Sequence, residues 1–344
     1  MLAFRPPLPH EPVSPVALVS FHASLPQGKR LFSLALCRFF CSMGIPLLFS
    51  FFLVETAAAL FLLAAFFRIF SRVLPPRLAA FPALAFLGIP TVLFSHFCHQ
   101  PWDTWLMAFL AWALVFILEA RFLPLFLLMP LASLNHETAF LVPLLFLAVH
   151  FDRLPFLRSS KASLWVVLAL LAIHASVMFL ATCWAAPRAT LAMYPAGDVW
   201  HGMVLRHGGE FNWMASLQWL RSIPTNALAL LHATAFLPVL PLVFFRVLSP
   251  ESRRVAEVAL FHLVSVFLTG LVFELRCFAA TVVILYPVVV VAALRFLRMP
   301  LPSPLDALPP PIPALRRASP VLEALAVFAL LVSTILFVLF PPLR

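Results

Sequence analysis

Apolar runs of roughly 17–25 residues recur along this chain, separated by short loops that contain arginine. A run of that length matches the hydrocarbon thickness of a bilayer when helical, and no soluble core asks for many of them. The runs are continuous and do not alternate with period two, which argues against a β-barrel. The expected fold is therefore all-α, a polytopic transmembrane helix bundle. Composition agrees: 63% of the 344 residues are hydrophobic and 10% are charged, against about 25% charged in ordinary globular chains.

The expected segments fall at 46–67, 78–95, 104–118, 122–134, 138–150, 163–184, 224–245, 255–273, 277–294 and 321–340, about ten in all. Residues 1–28 are a Pro-rich lead-in, and 29–45 read as an amphipathic helix at the membrane interface. Residues 46–298 form the transmembrane core. A Pro-rich linker at 299–320 then leads to a C-terminal span within 321–344.

The formal charge of +10 does not point to nucleic acid, because the basic residues sit between hydrophobic segments. One set of alternate loops holds Arg68, Arg72, Arg77, Arg121, Arg153, Arg158, Lys161, Arg246, Arg253, Arg254, Arg295, Arg298, Arg316 and Arg317. The positive-inside rule makes that side cytoplasmic. The other side holds fewer, among them Arg188, Arg206, Arg221 and Arg276. Lys29, Arg30 and Arg38 also fall there with no span before them, so the chain is expected to be N-terminally short relative to its relatives. The five cysteines form no CxxC pair and no metal-ligand spacing.

Charge counting separates 122–134 and 138–150 into two short helices joined at Leu134–Phe140, LNHETAF. Helices of that length reach only about 20 Å, so the polar tip would end below the outer surface. Polar backbone at such depth is tolerated where protein buries it or a cavity hydrates it. Asn135, His136 and Glu137 are thus site candidates. His136-Glu137 begins like the zinc-binding HExxH, but Phe140 stands where the second histidine is needed. Asp103, opening the segment in HFCHQPWDTWLMAF, is a cap or a site carboxylate. Glu274 and Arg276 flank an outer turn, and the loop of about 40 residues that carries His207 and Glu210 is long for such a bundle. Glu55, His174, His232 and His262 read as hydrogen-bonded packing groups within spans.

The order of these features resembles the GT-C type of integral-membrane glycosyltransferases, which use polyprenyl-phosphate-linked sugars. The resemblance lies in three stretches: LPQGKRLFSLALCRFFCSMGIPLLFSFFLVETAAALFLLAAFFRIFSR, HQPWDTWLMAFLAWALVFILEAR and RFLPLFLLMPLASLNHETAFLVPLLFLAVHF. It covers roughly residues 20–300, mostly as layout. It implies inverting sugar transfer on the outer face of a bacterial inner membrane, with membrane lipid and a polyprenyl-phosphate donor as partners. Asp103 and Glu137 would then be catalytic, Asn135 and Glu137 would hydrogen-bond sugar or phosphate, and Arg276 would neutralise the phosphate. His99, His136, His207, Glu210 and Glu274 would complete the substrate-binding set, and Mg²⁺ or Mn²⁺ is a possible companion. The family's principal acid lies in a first outer loop, whereas Glu11 is the only acid before Glu55 here. That departure points either to an N-terminally short chain or to a non-catalytic relative; a lipid or solute transporter is a separate alternative. A transporter calls for repeats and broken helices at the midplane, and no clear internal repeat is present.

Overall fold

The computed structural model describes residues 30–89, 101–150, 161–185, 234–269 and 278–297. These residues are helical, with no strand among them. In chain order the helices are α1 (Leu31–Ser42), α2 (Leu47–Phe70), α3 (Pro76–Ala85), α4 (Pro101–Leu118), α5 (Phe122–Asn135), a 3-10 turn (Glu137–Phe140), α6 (Leu141–His150), α7 (Lys161–Ala185), the one-turn α8 (Leu240–Val243), α9 (Pro250–Thr269) and α10 (Ala279–Phe296). The lead-in 1–28, the linker 299–320 and the segment 321–344 lie outside the described residues.

At the centre is α4. From Trp102 to Leu118 every side chain is buried except Trp112 and Phe116, which are half-buried. A helix apolar on all sides must be enclosed, and α2, α5, α6 and α10 enclose this one. The seam with α2 is aromatic: Phe61 stacks on Trp112 at 5.1 Å, and the Trp112 indole N–H donates to the Phe61 carbonyl at 2.8 Å. At the α2–α10 contact Phe66, Phe70 and Phe86 surround Tyr286, whose hydroxyl donates to the Pro82 carbonyl at 2.6 Å. Outward-facing positions are apolar as well. Phe52, Phe81, Leu123 and Leu127 are each more than 60% exposed, a surface suited to hydrocarbon.

Three helices are long and apolar enough to cross a membrane: Leu47–Phe70, Leu164–Trp184 and Ala279–Phe296. The expectation of about ten such segments is met only in part among the described residues. The paired short helices occur where expected, antiparallel, with Phe122 of α5 against Phe146 and His150 of α6. The segment expected at 78–95 is a ten-residue helix, α3, over its described part. The end of the segment expected at 224–245 is a run of turns from Thr234 followed by one helical turn. Pro238 and Pro241 each lack an N–H and so remove a helical hydrogen bond here, Pro241 being accommodated in the first turn of the short helix. Ala235 and Phe236 take positive φ there, 51° and 56°.

Two helix ends share one geometry. After α1, the Ile45 N–H reaches the Phe40 carbonyl and the Gly44 N–H reaches Cys41. After α4, the Arg121 N–H reaches Phe116 at 2.8 Å and the Ala120 N–H reaches Ile117 at 3.1 Å. Both are Schellman turns, which require a left-handed residue. Gly44 supplies it at φ 85°, but at the second turn alanine sits at φ 54°. Its Cβ costs roughly 1 kcal/mol there. Ala120→Gly is therefore expected to raise the thermal midpoint of the detergent-solubilised protein, equivalent to about 1 kcal/mol. An unchanged or lowered midpoint would contradict a left-handed Ala120.

Candidate functional site

The hairpin tip is not a loose polar turn. α5 continues through Asn135, His136 is extended, and the 3-10 turn starts at Glu137. The His136 ring caps this turn, its Nδ1 accepting the Thr138 N–H at 3.1 Å. Asn135 is fully buried and donates through Nδ2 to the Trp102 carbonyl at 2.8 Å. That bond ties the start of α4, which carries Asp103, to the hairpin tip.

Glu137 receives a partner that sequence reading did not foresee. Arg30, immediately before α1, donates through Nη2 to Glu137 Oε1 at 2.7 Å and through Nε to Oε2 at 3.2 Å. The pairing is bidentate across 107 residues of sequence. The guanidinium also lies over the Trp102 ring, 5.1 Å from its centroid. Arg30 is 12% exposed and Glu137 39%, so the arginine is the more enclosed partner. Arg30 had served only as a charge to be counted for topology. The usable signal was its place, one residue ahead of an amphipathic helix whose buried face is Ser33, Leu34 and Cys37.

Beside this clamp lies an apolar recess of about 470 Å³ lined by Leu31, Leu134, Phe179, Leu180, Ala181, Cys183 and Trp184. Leu31 and Leu134 adjoin Arg30 and Asn135 in sequence, but none of Arg30, Trp102, Asn135 and Glu137 lines the recess itself. Around the same end, Ser33 Oγ, Trp102 Nε1 and Asn135 Oδ1 are buried without a hydrogen-bond partner among the described residues. Each such group costs about 1–3 kcal/mol and asks for a ligand or an ordered water.

Of the candidates from sequence, Asp103, Asn135, His136 and Glu137 are described, and they gather at this end of the bundle. Asp103 is 3% exposed and is not among the residues lining the apolar recess. His99, His207, Glu210, Glu274 and Arg276 lie outside the described residues. Glu55 has its partner, Thr104 Oγ1 donating to Oε2 at 2.8 Å. The packing role expected for His174 and His262 is matched by bonds to Ser133 at 2.9 Å and Thr281 at 2.8 Å. His232 lies outside the described residues. Burial pushes the Cys37 thiol up to about 12, with Glu55 and then Cys41 adding to the rise; it is no nucleophile at neutral pH.

Among the described residues no three His, Cys, Asp or Glu side chains group to hold a metal. Both Glu137 oxygens already accept from Arg30. This donor set does not suit Mg²⁺ or Mn²⁺, which prefers several free oxygen ligands, and no step is assigned to a metal.

Replacing Arg30 or Glu137 by Gln is expected to lower the thermal midpoint in detergent. The double variant should lose less than the two single losses combined, by a coupling of about 1 kcal/mol, kept small by the partial exposure of Glu137. Strictly additive losses would show that the two side chains do not interact.

Comparison of the chain with protein-family models, with curated proteins and with solved structures returns no match.

Proposed function

We propose that this chain is a multi-pass membrane protein of about ten segments that transfers a sugar from a polyprenyl-phosphate donor to an acceptor on the outer face of a bacterial inner membrane. The observation that carries this reading is the nearness of the Arg30 cluster to the apolar recess. A guanidinium stacked on Trp102 and held by Glu137 stands next to a groove of hydrocarbon-lining side chains. A lipid phosphate needs that pairing: cationic donors for the head and apolar wall for the chain.

Arg30 neutralises the donor phosphate. Glu137, engaged by both oxygens, orients Arg30 and leaves the proton chemistry to another group. Asp103, at the start of α4, takes the proton from the acceptor hydroxyl. The acceptor oxygen then bonds to the anomeric carbon, and the polyprenyl phosphate leaves with the electron pair of the broken C–O bond. Asn135 Oδ1, buried and without a hydrogen-bond partner among the described residues, offers an acceptor to a sugar hydroxyl. A second reading, a membrane protein of this layout without catalysis, draws on the same clamp, since an ion-paired Glu137 and a 3% exposed Asp103 also describe a structural joint.

The full chain in detergent is expected to retain a long-chain polyprenyl phosphate in native mass spectrometry, in preference to the corresponding polyprenol. Arg30→Gln should weaken that retention roughly tenfold, the loss of one charge-assisted contact. Asp103→Asn should keep the lipid yet lower transfer from polyprenyl-phosphate hexoses or pentoses by about 10²–10⁴-fold. Equal retention of phosphate and alcohol would sink the proposal. Retention without transfer to any tested acceptor favours the non-catalytic reading.

A further inference from the structure

The end of the bundle away from the Arg30 clamp carries a second polar cluster, which the transfer reaction does not use. Glu119 follows α4, Arg121 precedes α5, and Arg68 and Arg72 lie at the close of α2. Arg68 Nε donates to Glu119 Oε1 at 2.6 Å, while Arg72 and Arg121 stand 3.9 Å and 3.7 Å from its oxygens. The Glu119 side chain is 10% exposed, whereas Arg68 and Arg121 are 58% and 55% exposed. The carboxylate and Arg72 are enclosed, and the Arg68 guanidinium reaches the surface. Between them opens a recess of about 330 Å³ lined by Arg68, Ser71, Arg72 and Glu119.

Positive-inside sorting accounts for arginines at this end, but not for three of them converging on one carboxylate. A carboxylate has about four acceptor sites, and three guanidiniums bring far more N–H donors than that. The surplus is visible: Arg72 Nε and the Ser71 hydroxyl are buried and make no hydrogen bond among the described residues. Burial lowers the Arg72 pKa, an effect that the Glu119 carboxylate opposes; the residue stays cationic at neutral pH because an arginine starts so high. The local balance is two positive charges in excess, with unused donors beside an open recess. The turn that sets this up is the one in which Ala120 accepts left-handed backbone, between Glu119 and Arg121.

We propose that this recess binds a phosphate group, carried by an anionic lipid headgroup at the membrane surface or free in solution. The Arg68 and Arg72 guanidiniums supply charge-assisted donors and Ser71 a hydroxyl, while Arg121 adds positive charge beside Glu119 and Glu119 holds the arginines in place when the recess is empty. Delocalised, planar guanidinium groups suit phosphate oxygens better than ammonium groups do, and basic clusters beside spans are the usual contact for anionic headgroups.

The test uses the full chain, delipidated in detergent. Native mass spectrometry would measure retention of phosphatidylglycerol against phosphatidylcholine. Thermal unfolding with inorganic phosphate forms a separate arm. Phosphatidylglycerol is expected to be retained preferentially, and Arg68→Gln, alone or with Arg72→Gln, should weaken this roughly tenfold. Glu119→Gln should strengthen it, since a competing negative charge is removed. Arg77→Gln, at an exposed position that does not line the recess, should leave it unchanged. Stabilisation by inorganic phosphate without lipid retention, abolished by Arg68→Gln, would support the phosphate site and assign its source to solution. Response to neither probe would overturn the proposal, as would Arg77→Gln acting as strongly as Arg68→Gln, because the effect would then be diffuse charge. Arg68 lines the recess and is 58% exposed, so its replacement tests binding without removing a buried side chain.

Discussion

A helix that is apolar on every side has to be surrounded, and the enclosure of α4 organises the rest of the described structure. Its 18 residues span about 27 Å at 1.5 Å per residue. Polar groups have no place along that length, so they collect at its two ends. Trp102, Asp103 and Thr104 stand at one end with Asn135 and the Arg30–Glu137 pair, and Glu119 stands at the other with three arginines. Each end is built around a carboxylate held by guanidinium. At the first, one arginine spends two donors on one carboxylate. At the second, three arginines share one.

Much of this was legible in the sequence, for physical reasons that differ from element to element. The paired short helices followed from run length and from a polar interruption that a single span cannot contain, and α5 and α6 occupy those positions. The hydrogen-bonded roles of Glu55, His174 and His262 followed from the cost of an unsatisfied polar group among apolar ones. The described end of the run expected at 224–245 is a set of turns and one helical turn: hydropathy registers prolines 238 and 241 as mild residues, whereas each removes a backbone donor. Hydropathy measures what a segment prefers to touch. It says little about whether its backbone can stay helical.

The candidate site was legible as a set of residue types but not as a set of pairs. Glu137 was visible as a carboxylate at a hairpin tip, yet its partner is 107 residues away. Charge counting treats arginine as a marker of sidedness, which does not distinguish Arg30 from Lys29 and Arg38. What fixes its real role is the docking of α1 across α4 and α5, with Phe32 edge-on to Trp105 at 5.0 Å and Phe109 at 5.1 Å. No local pattern encodes that packing. The same holds at the other end, where the convergence on Glu119 depends on a turn taken by an alanine.

The shortness of the hairpin has a consequence for the lipid around it. α5 has 14 residues, about 21 Å of helix, beside a hydrocarbon layer of about 30 Å. Its outward face is apolar, with Leu123, Leu127 and Leu131 exposed, so acyl chains must cover it. A bilayer meets such hydrophobic mismatch by thinning locally. With α5 in a bilayer as proposed, headgroups and water would dip toward Glu137 on that flank, and the tip would gain an aqueous approach without any movement of the protein. Membrane thickness would then be a variable of the proposed site: a thicker bilayer raises the elastic cost of reaching it, and a thinner one lowers it.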